Sequence, residues 1–386
     1  MRANIELYAE IVQFVKELYP EKKFVGLHEP QFKGNEKKYL IDAIDSTFVS
    51  SVGKYVDRFE QSIKDYTGAK YAVATVNGTS ALHIALMLAG VNEGDLVITQ
   101  PLSFVATCNA ISYTKASPLF IDVETKSLGL SAEKLKYFFS NDTIIVDGVC
   151  IHKATGKRVA ACVPMHTFGF PSDIDNIVDL CSQNLIPVIE DAAESIGSLY
   201  KGKHTGTFGL IGTFSFNGNK TITSGGGGVI TTNDEHIALK AKHLTTQAKK
   251  QHKWAFDHDE IGYNYRMPNI NAALACAQLE QLDEYINNKR ETAEKYKSFF
   301  KQFNTVDFIE EQSFCRSNYW LNAVRFKDNI MQQEFLAYSN DNGVMTRPSW
   351  NLLNTLAMFS NCIKGDLSQA ESIFNTLVNL PSSVRN

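Results

Sequence analysis

Along residues 71–232, short runs of β-branched and aromatic residues alternate with segments in which apolar positions recur at helical spacing. The runs at 71–76, 96–99, 118–121, 159–163, 186–190, 212–216 and 228–232 are each bounded by Gly, Pro, Asn or Asp. Seven strands with helical connections predict an α/β domain around one mostly parallel seven-stranded sheet flanked by helices. Ahead of it, Ile5, Tyr8, Ile11, Val12, Val15 and Leu18 mark one face of a helix. Glu6, Glu10 and Glu17 interrupt that face, unlike a secretory leader, so a packing or dimerising amphipathic helix is expected. From Asn269 to about Phe303 the pattern turns long-helical and opens a smaller C-terminal α/β domain. The expected divisions are a helical extension over 1–25, a large domain over 26–260 and a small domain over 261–386. Residues 141–158 form an excursion between two strands, with a hairpin expected at Ala154-Thr-Gly-Lys157. No closing helix is expected after Leu380-Pro-Ser-Ser383.

Composition narrows the partners more than the fold. The 386 residues carry 38 Lys+Arg against 42 Asp+Glu, a formal net charge of −4, so the chain lacks the basic field that a nucleic-acid backbone requires. Its most apolar stretch, 81–91, contains His83 and falls well short of the ~18 residues of a membrane span. Seven widely spread cysteines without CxxC spacing suggest neither a disulfide framework nor a metal site, and a cytoplasmic setting is expected.

In a parallel sheet, ligands gather beyond the carboxyl ends of the strands, and the residues there form a coherent set. After the first run comes Asn77-Gly-Thr-Ser80 at the start of a helical segment, where Gly78, Thr79 and Ser80 can seat a phosphate; alone, the segment is also an ordinary helix cap. Asp191 follows the 186–190 run and places a carboxylate at a strand end. Lys220 ends Ser215-Phe-Asn-Gly-Asn-Lys220, a tight turn followed by Gly225–Gly228. A nucleotide P-loop would need Gly at 214 and 219, where Phe and Asn stand. A Schiff-base lysine needs an acidic partner for a ring nitrogen, a phosphate seat and an aromatic to stack on the ring. Asp191, Thr79 with Ser80 and Ser215, and Phe104 supply them.

With Ser51-Val-Gly-Lys-Tyr-Val-Asp-Arg-Phe-Glu60, Ser103-Phe-Val-Ala-Thr107, Glu190-Asp-Ala-Ala-Glu194 and Gly262-Tyr-Asn-Tyr-Arg266, the ordered motifs extend from about Gly26 to Ser383. Over that span the chain resembles the DegT/DnrJ/StrS group of sugar-nucleotide aminotransferases, fold-type I enzymes dependent on pyridoxal 5'-phosphate. The finer likeness is to enzymes that aminate C4 of UDP-linked 4-keto-6-deoxy-N-acetylhexosamines on bacillosamine and legionaminic-type routes. It rests on Glu194, Thr246-Gln-Ala248, Arg316-Ser-Asn318 and Thr346-Arg-Pro348. The resemblance implies a homodimer with composite sites that uses glutamate/2-oxoglutarate and a nucleotide sugar in glycan biosynthesis, with no metal.

It also implies roles. Lys220 is the catalytic lysine, Asp191 keeps the ring nitrogen protonated, and Glu194 sits near the ring oxygen and shares a proton there. Phe104 covers the ring face, or else is an ordinary core aromatic. Asn264 reaches the phosphate of a neighbouring subunit's cofactor or else sits in a surface turn, and Arg266 takes the donor carboxylate or else forms a structural ion pair. By position, His166 is a candidate substrate contact or equally a core-satisfied histidine, and Tyr319, Trp320, Arg347 and Trp350 are candidate substrate contacts, with packing the expected role for at least two of the four. Two rivals remain: a catalytically silent cofactor-binding protein, and a 4-keto-sugar 3-dehydratase on the same fold, whose relatives carry histidine where Lys220 stands.

Overall fold

A computed structural model describes residues 2–386. All seven expected strands are present, within one to three residues of their predicted ends, and they lie side by side. Across the sheet the order is Ile363–Lys364, Ser117–Phe120, Leu96–Thr99, Val159–Val163, Ile189–Asp191, Ile211–Ser215, Gly228–Thr232 and Tyr71–Thr75. The two halves join through parallel bridges Cys162–Val188 and Met165–Asp191. Pairing is parallel except at Gly228–Thr232, which runs antiparallel to both neighbours. The eighth, edge strand at 363–364 comes from the C-terminal region.

This order places the chemistry. Thr75 and Ser215 both register against Gly228, so the ends of two strands and the start of a third meet at one edge of the sheet. A Cβ on Gly228 would overlap the backbone of Asn77, so only glycine lets the 77–80 turn close over that edge. Asn77 then caps the helix Gly78–Leu88 by accepting the Ser80 N–H at 2.8 Å. That helix is buried along most of its length, against the sheet. The helix Lys54–Thr67 instead buries one stripe, Tyr55, Val56, Phe59 and Ile63, and ends on Gly68 at φ +77°.

The expected single helix from 269 is two, Asn269–Leu279 and Leu282–Phe300, broken at Glu280-Gln281. Gln281 uses its side chain to donate to Glu36 Oε1 at 2.7 Å. Past the break, Leu282, Tyr285 and Ile286 still share the core of Asn269–Leu279, and only further along do Tyr296 and Phe300 reach the C-terminal core. Asn269–Leu279 packs on Glu36–Asp45 and Lys54–Thr67, so this helix stays with the large sheet although it lies beyond 260. Conversely, the helix Arg2–Leu18 joins the C-terminal core, where Tyr8, Ile11 and Val15 meet Phe326, Phe335 and Val378. That core sits under an antiparallel sheet ordered Val306–Phe308, Asn322–Phe326, Leu377–Leu380, Arg347–Pro348.

Two further expectations change. Residues 143–152 form a hairpin, Thr143–Val146 with Val149–His152, whose turn is Asp147-Gly148 at φ +50° and +78°. Asp-Gly between two apolar runs favours this hairpin, so the tight turn sits at 147–148 rather than at 154–157. Residues 154–157 then return the chain, with the His152 N–H donating to Lys157 O. Among the described residues, no helix is long and apolar enough to cross a membrane.

Candidate active site

At the carboxyl edge of the large sheet lies a cavity of about 360 Å³. Lys220, Asp191, Glu194, Ser215, Gly78, Thr79 and Phe104 all line it, with Trp320 and Trp350 arriving from the small domain. The segments that carry them are more than 270 residues apart at the extremes, and the sheet brings them together.

Lys220 Nζ donates to Glu194 Oε1 at 3.1 Å and sits 4.1 Å from the centre of the Trp320 ring. The indole itself is fixed, its Nε1–H donating to Asn219 O at 2.7 Å. Glu194 is fully buried, and its Oε2 accepts the amide of Phe168 at 2.9 Å. Phe168 holds φ +56° in the short helical turn Thr167–Gly169 to present that amide. Burial pushes the Glu194 carboxyl up to about 7, although the Lys220 charge and the Phe168 amide pull the other way.

Asp191 is likewise buried at the end of its strand. The Thr107 hydroxyl donates to its Oδ2 at 2.7 Å and the Ala193 N–H to its Oδ1 at 3.2 Å. Burial raises its carboxyl above the ordinary range, while those donors and the charge of Lys220 oppose the rise. A cationic ring nitrogen placed before it would reverse that balance in favour of the carboxylate.

The phosphate seat differs in one member from its expectation. Gly78 and Thr79 face the cavity, and their N–H groups belong to the first turn, which has no intrahelical acceptors. Ser80 does not face it: the residue is buried and its N–H is taken by Asn77. Gly78 is also a packing necessity, since a Cβ there would lie 2.9 Å from Ser215 Cβ. Phe104 is half exposed at the start of the helix Val105–Tyr113, edge-on to Trp350 at 6.2 Å, and so is not a core aromatic.

Three expected contacts lie elsewhere. His166 is completely buried; its Nδ1 accepts the Ser172 N–H at 3.0 Å, so Nε2 carries the proton toward Glu190 at 3.0 Å. Both nitrogens are used, and the ring faces the core rather than the substrate. Arg266 forms an ion pair with Glu60, 2.7 Å apart, beneath the sheet edge, and does not reach the cavity. Glu60 also accepts the Ala74 N–H, so the pair ties the 262–267 segment to the Tyr71–Thr75 strand. Tyr319 is buried among Phe170 and Phe308, and its hydroxyl accepts the Glu311 N–H. Arg347 is exposed and lines an adjoining chamber, together with Trp350 and Trp320. Asn264 is exposed and bridges to Thr246, outside the cavity of its own chain. The sequence reading missed Asn217, Asn219 and Met165 as cavity walls, although the first two lie in the lysine turn itself.

This donor set fits pyridoxal phosphate. A buried carboxylate faces a free amine and a protonatable carboxyl across one cavity, and a glycine-tight helix start offers unpaired N–H groups at its side. Lys220 would hold the aldehyde carbon, Asp191 the ring nitrogen, Phe104 a ring face, and Gly78, Thr79 and Ser215 the phosphate.

Comparison with known proteins agrees. The profile of the DegT/DnrJ/EryC1/StrS aminotransferase family matches residues 30–385. The chain is 38% identical to the GDP-perosamine synthase of Escherichia coli O157:H7 over 339 residues, covering 88% of each chain. It is 36% identical to the putative pyridoxal phosphate-dependent aminotransferase EpsN of Bacillus subtilis (strain 168), over 93% of this chain and 91% of that one. Among solved structures, the aminotransferase TlmJ of Streptoalloteichus hindustanus superposes with a TM-score of 0.84 at 25% identity, covering 93% of both chains.

Proposed function

The chain belongs to the DegT/DnrJ/EryC1/StrS aminotransferase family and is a pyridoxal-phosphate-dependent sugar aminotransferase; on that premise we propose that it moves the amino group of glutamate to C4 of a UDP-linked 4-keto-6-deoxy-N-acetylhexosamine. The observation that carries the chemistry is the Lys220 amine, 3.1 Å from a buried carboxyl in the cavity that also holds Asp191. The finer acceptor rests on the motif resemblance at Glu194, 246–248, 316–318 and 346–348. Three relatives are named GDP-perosamine synthase, so a GDP-linked sugar is the second acceptor to assay.

Bound pyridoxal phosphate supplies a carbonyl that takes up the amine and a protonated ring that draws electrons from the carbon losing its proton. The rest falls to the chain. Asp191 holds the proton on the ring nitrogen. Lys220 Nζ, once released by the amine of glutamate, would take the proton from the donor carbon, and in the second half it would deliver a proton to C4 of the keto acceptor. Burial raises the Glu194 carboxyl to about 7, so it would exchange a proton beside Nζ near neutral pH. Trp320 closes the cavity over the amine and limits water.

We further propose a homodimer in which Asn264 serves the cavity of the partner. Its exposure, in a stretch with Trp254, Phe256 and Ile261 also turned outward, supports that arrangement. Seven unpaired cysteines support a reducing, cytoplasmic setting. The rival dehydratase and silent readings are disfavoured by Lys220 and by the intact Asp191 pocket. Loading the enzyme with glutamate and discharging it with UDP- or GDP-linked 4-keto sugars tests the acceptor. Discharge by the GDP-linked sugar alone would overturn the UDP assignment.

A further inference from the structure

The Lys220 amine is placed by its turn, which continues into Thr221, by Glu194, which accepts from it, and by Trp320, whose ring lies over it. One side chain bonds to all three. Asn318 Nδ2 donates to the carbonyls of Glu194 and Ile196, each at 2.9 Å, and approaches the Thr221 hydroxyl oxygen at 3.3 Å, a longer third acceptor. Asn318 Oδ1 accepts the Trp320 N–H at 2.8 Å. Carbonyls face only donors and a backbone N–H only an acceptor, so the amide has a single orientation. Asn318 is completely buried.

The residue is itself clamped. Its N–H donates to Ser198 Oγ at 2.9 Å, and the hydroxyls of Ser198 and Ser317 both donate to Gly169 O, at 2.7 and 2.9 Å. Gly169 holds φ +95°, and a Cβ there would overlap Asn318 Oδ1, so the 167–169 turn is shaped to admit the amide. The same turn supplies the Phe168 amide to Glu194 Oε2. Glu194 is thus fixed at both ends, its carbonyl by Asn318 and its carboxyl by the turn packed on Asn318. Such fixing matters because Lys220 carries its amine on a flexible four-carbon stem, and a misplacement of about 1 Å can cost about 100-fold in rate.

We propose that Asn318 is a positioning residue for the transfer, holding Glu194, Trp320 and the lysine turn in register with one another. It does not line the cavity and acts only through the groups that do. The assignment deepens the proposed function and rests on Lys220 being the catalytic amine. Truncation to alanine frees the Trp320 N–H and two buried carbonyls at once. Because Asn318 works by placement, its loss falls on kcat and leaves the requirement for glutamate nearly as it was.

The test compares Asn318→Ala with Gln332→Ala, which removes a similar amide away from the cavity. Gln332 is also buried, and its Nε2 donates to Phe374 O and Leu377 O, both at 2.8 Å. In the cofactor-loaded enzyme, Asn318→Ala should lower kcat by about 10- to 100-fold, with KM for glutamate within about twofold. In the cofactor-free chain carrying Trp254→Phe and Trp350→Phe, Trp320 is the sole tryptophan, and Asn318→Ala should open its fluorescence to quenching by acrylamide. Gln332→Ala should leave kcat and quenching unchanged. An Asn318→Ala enzyme that keeps its kcat, or keeps Trp320 shielded, would overturn the assignment, as would a Gln332→Ala enzyme that matches it on both readouts. If Asn318→Ala does not fold, Ser198→Ala, which frees the Asn318 N–H, decides by the same readouts in the same direction. Turnover surviving in Lys220→Ala would instead remove the reading on which the assignment rests.

Discussion

Replacing Glu194 with Gln tests whether a buried carboxyl beside Lys220 takes up its proton near neutral pH. The substitution keeps the shape and the hydrogen bond to the Phe168 amide, and removes one titration. In the folded chain the carboxyl keeps its proton up to about pH 7, whereas the unfolded chain releases it near 4.5. Between those values the folded state binds the extra proton, so this group's contribution to stability is full below about 4.5 and is lost as pH rises through about 7. At about 1.4 kcal/mol per pH unit, the interval is worth about 3 kcal/mol, and about 2–3 kcal/mol falls between pH 5 and 8. Urea unfolding of the cofactor-free protein at a fixed protein concentration, measured at half-unit steps across that range, gives the comparison directly. The unaltered protein should lose about 2–3 kcal/mol relative to Glu194→Gln as pH rises from 5 to 8. Parallel stability curves would show that the carboxyl is already ionised at pH 5, and would remove its role as a proton store beside the amine.

Other perturbations separate chemistry from architecture. Lys220→Ala should abolish turnover, and turnover surviving without an added amine would remove the proposed mechanism. Gly228→Ala should weaken cofactor binding by about 10-fold or more, because a Cβ there pushes the Asn77 backbone, and with it the phosphate seat, off the sheet edge; unchanged cofactor affinity would argue against that seat. Arg266→Met should cost about 1–3 kcal/mol in unfolding experiments by removing one of the two cations on Glu60, Lys242 remaining, without changing half-saturation by glutamate; a raised requirement for glutamate would return Arg266 to the donor site. Lys289 is fully buried with only the Trp320 and Ser382 carbonyls as acceptors, and burial lowers its pKa to about 7. The unfolded chain therefore holds more protons between about pH 7 and 10.5, so stability should rise by a few kcal/mol across that window and flatten in Lys289→Met.

Local pattern carried much of this molecule. The seven sheet strands are short, β-branched and sharply bounded, and the site residues that follow them, Asp191, Gly78 and Ser215, inherit their position from strand ends alone. Lys220 was legible because an enclosed lysine in a glycine-rich turn needs a reason. What stayed hidden depends on pairs that are remote in sequence. The direction of His166 is set by Glu190 and Ser172 together, and that of Arg266 by Glu60, 206 positions away. The helix break at 280–281 follows from Glu36, which no helical periodicity in 269–303 could report. The N-terminal helix showed its apolar face but not which domain that face joins.

The most direct test of the central claim is the absorbance spectrum of the purified, cofactor-loaded protein, followed first on adding glutamate and then on adding a UDP-linked 4-keto-6-deoxy-N-acetylhexosamine. A visible band that glutamate bleaches and the keto sugar restores is the predicted result, establishing both halves of the transfer in one cuvette. A protein that develops no such band when supplied with pyridoxal phosphate would contradict the account from Lys220 outward.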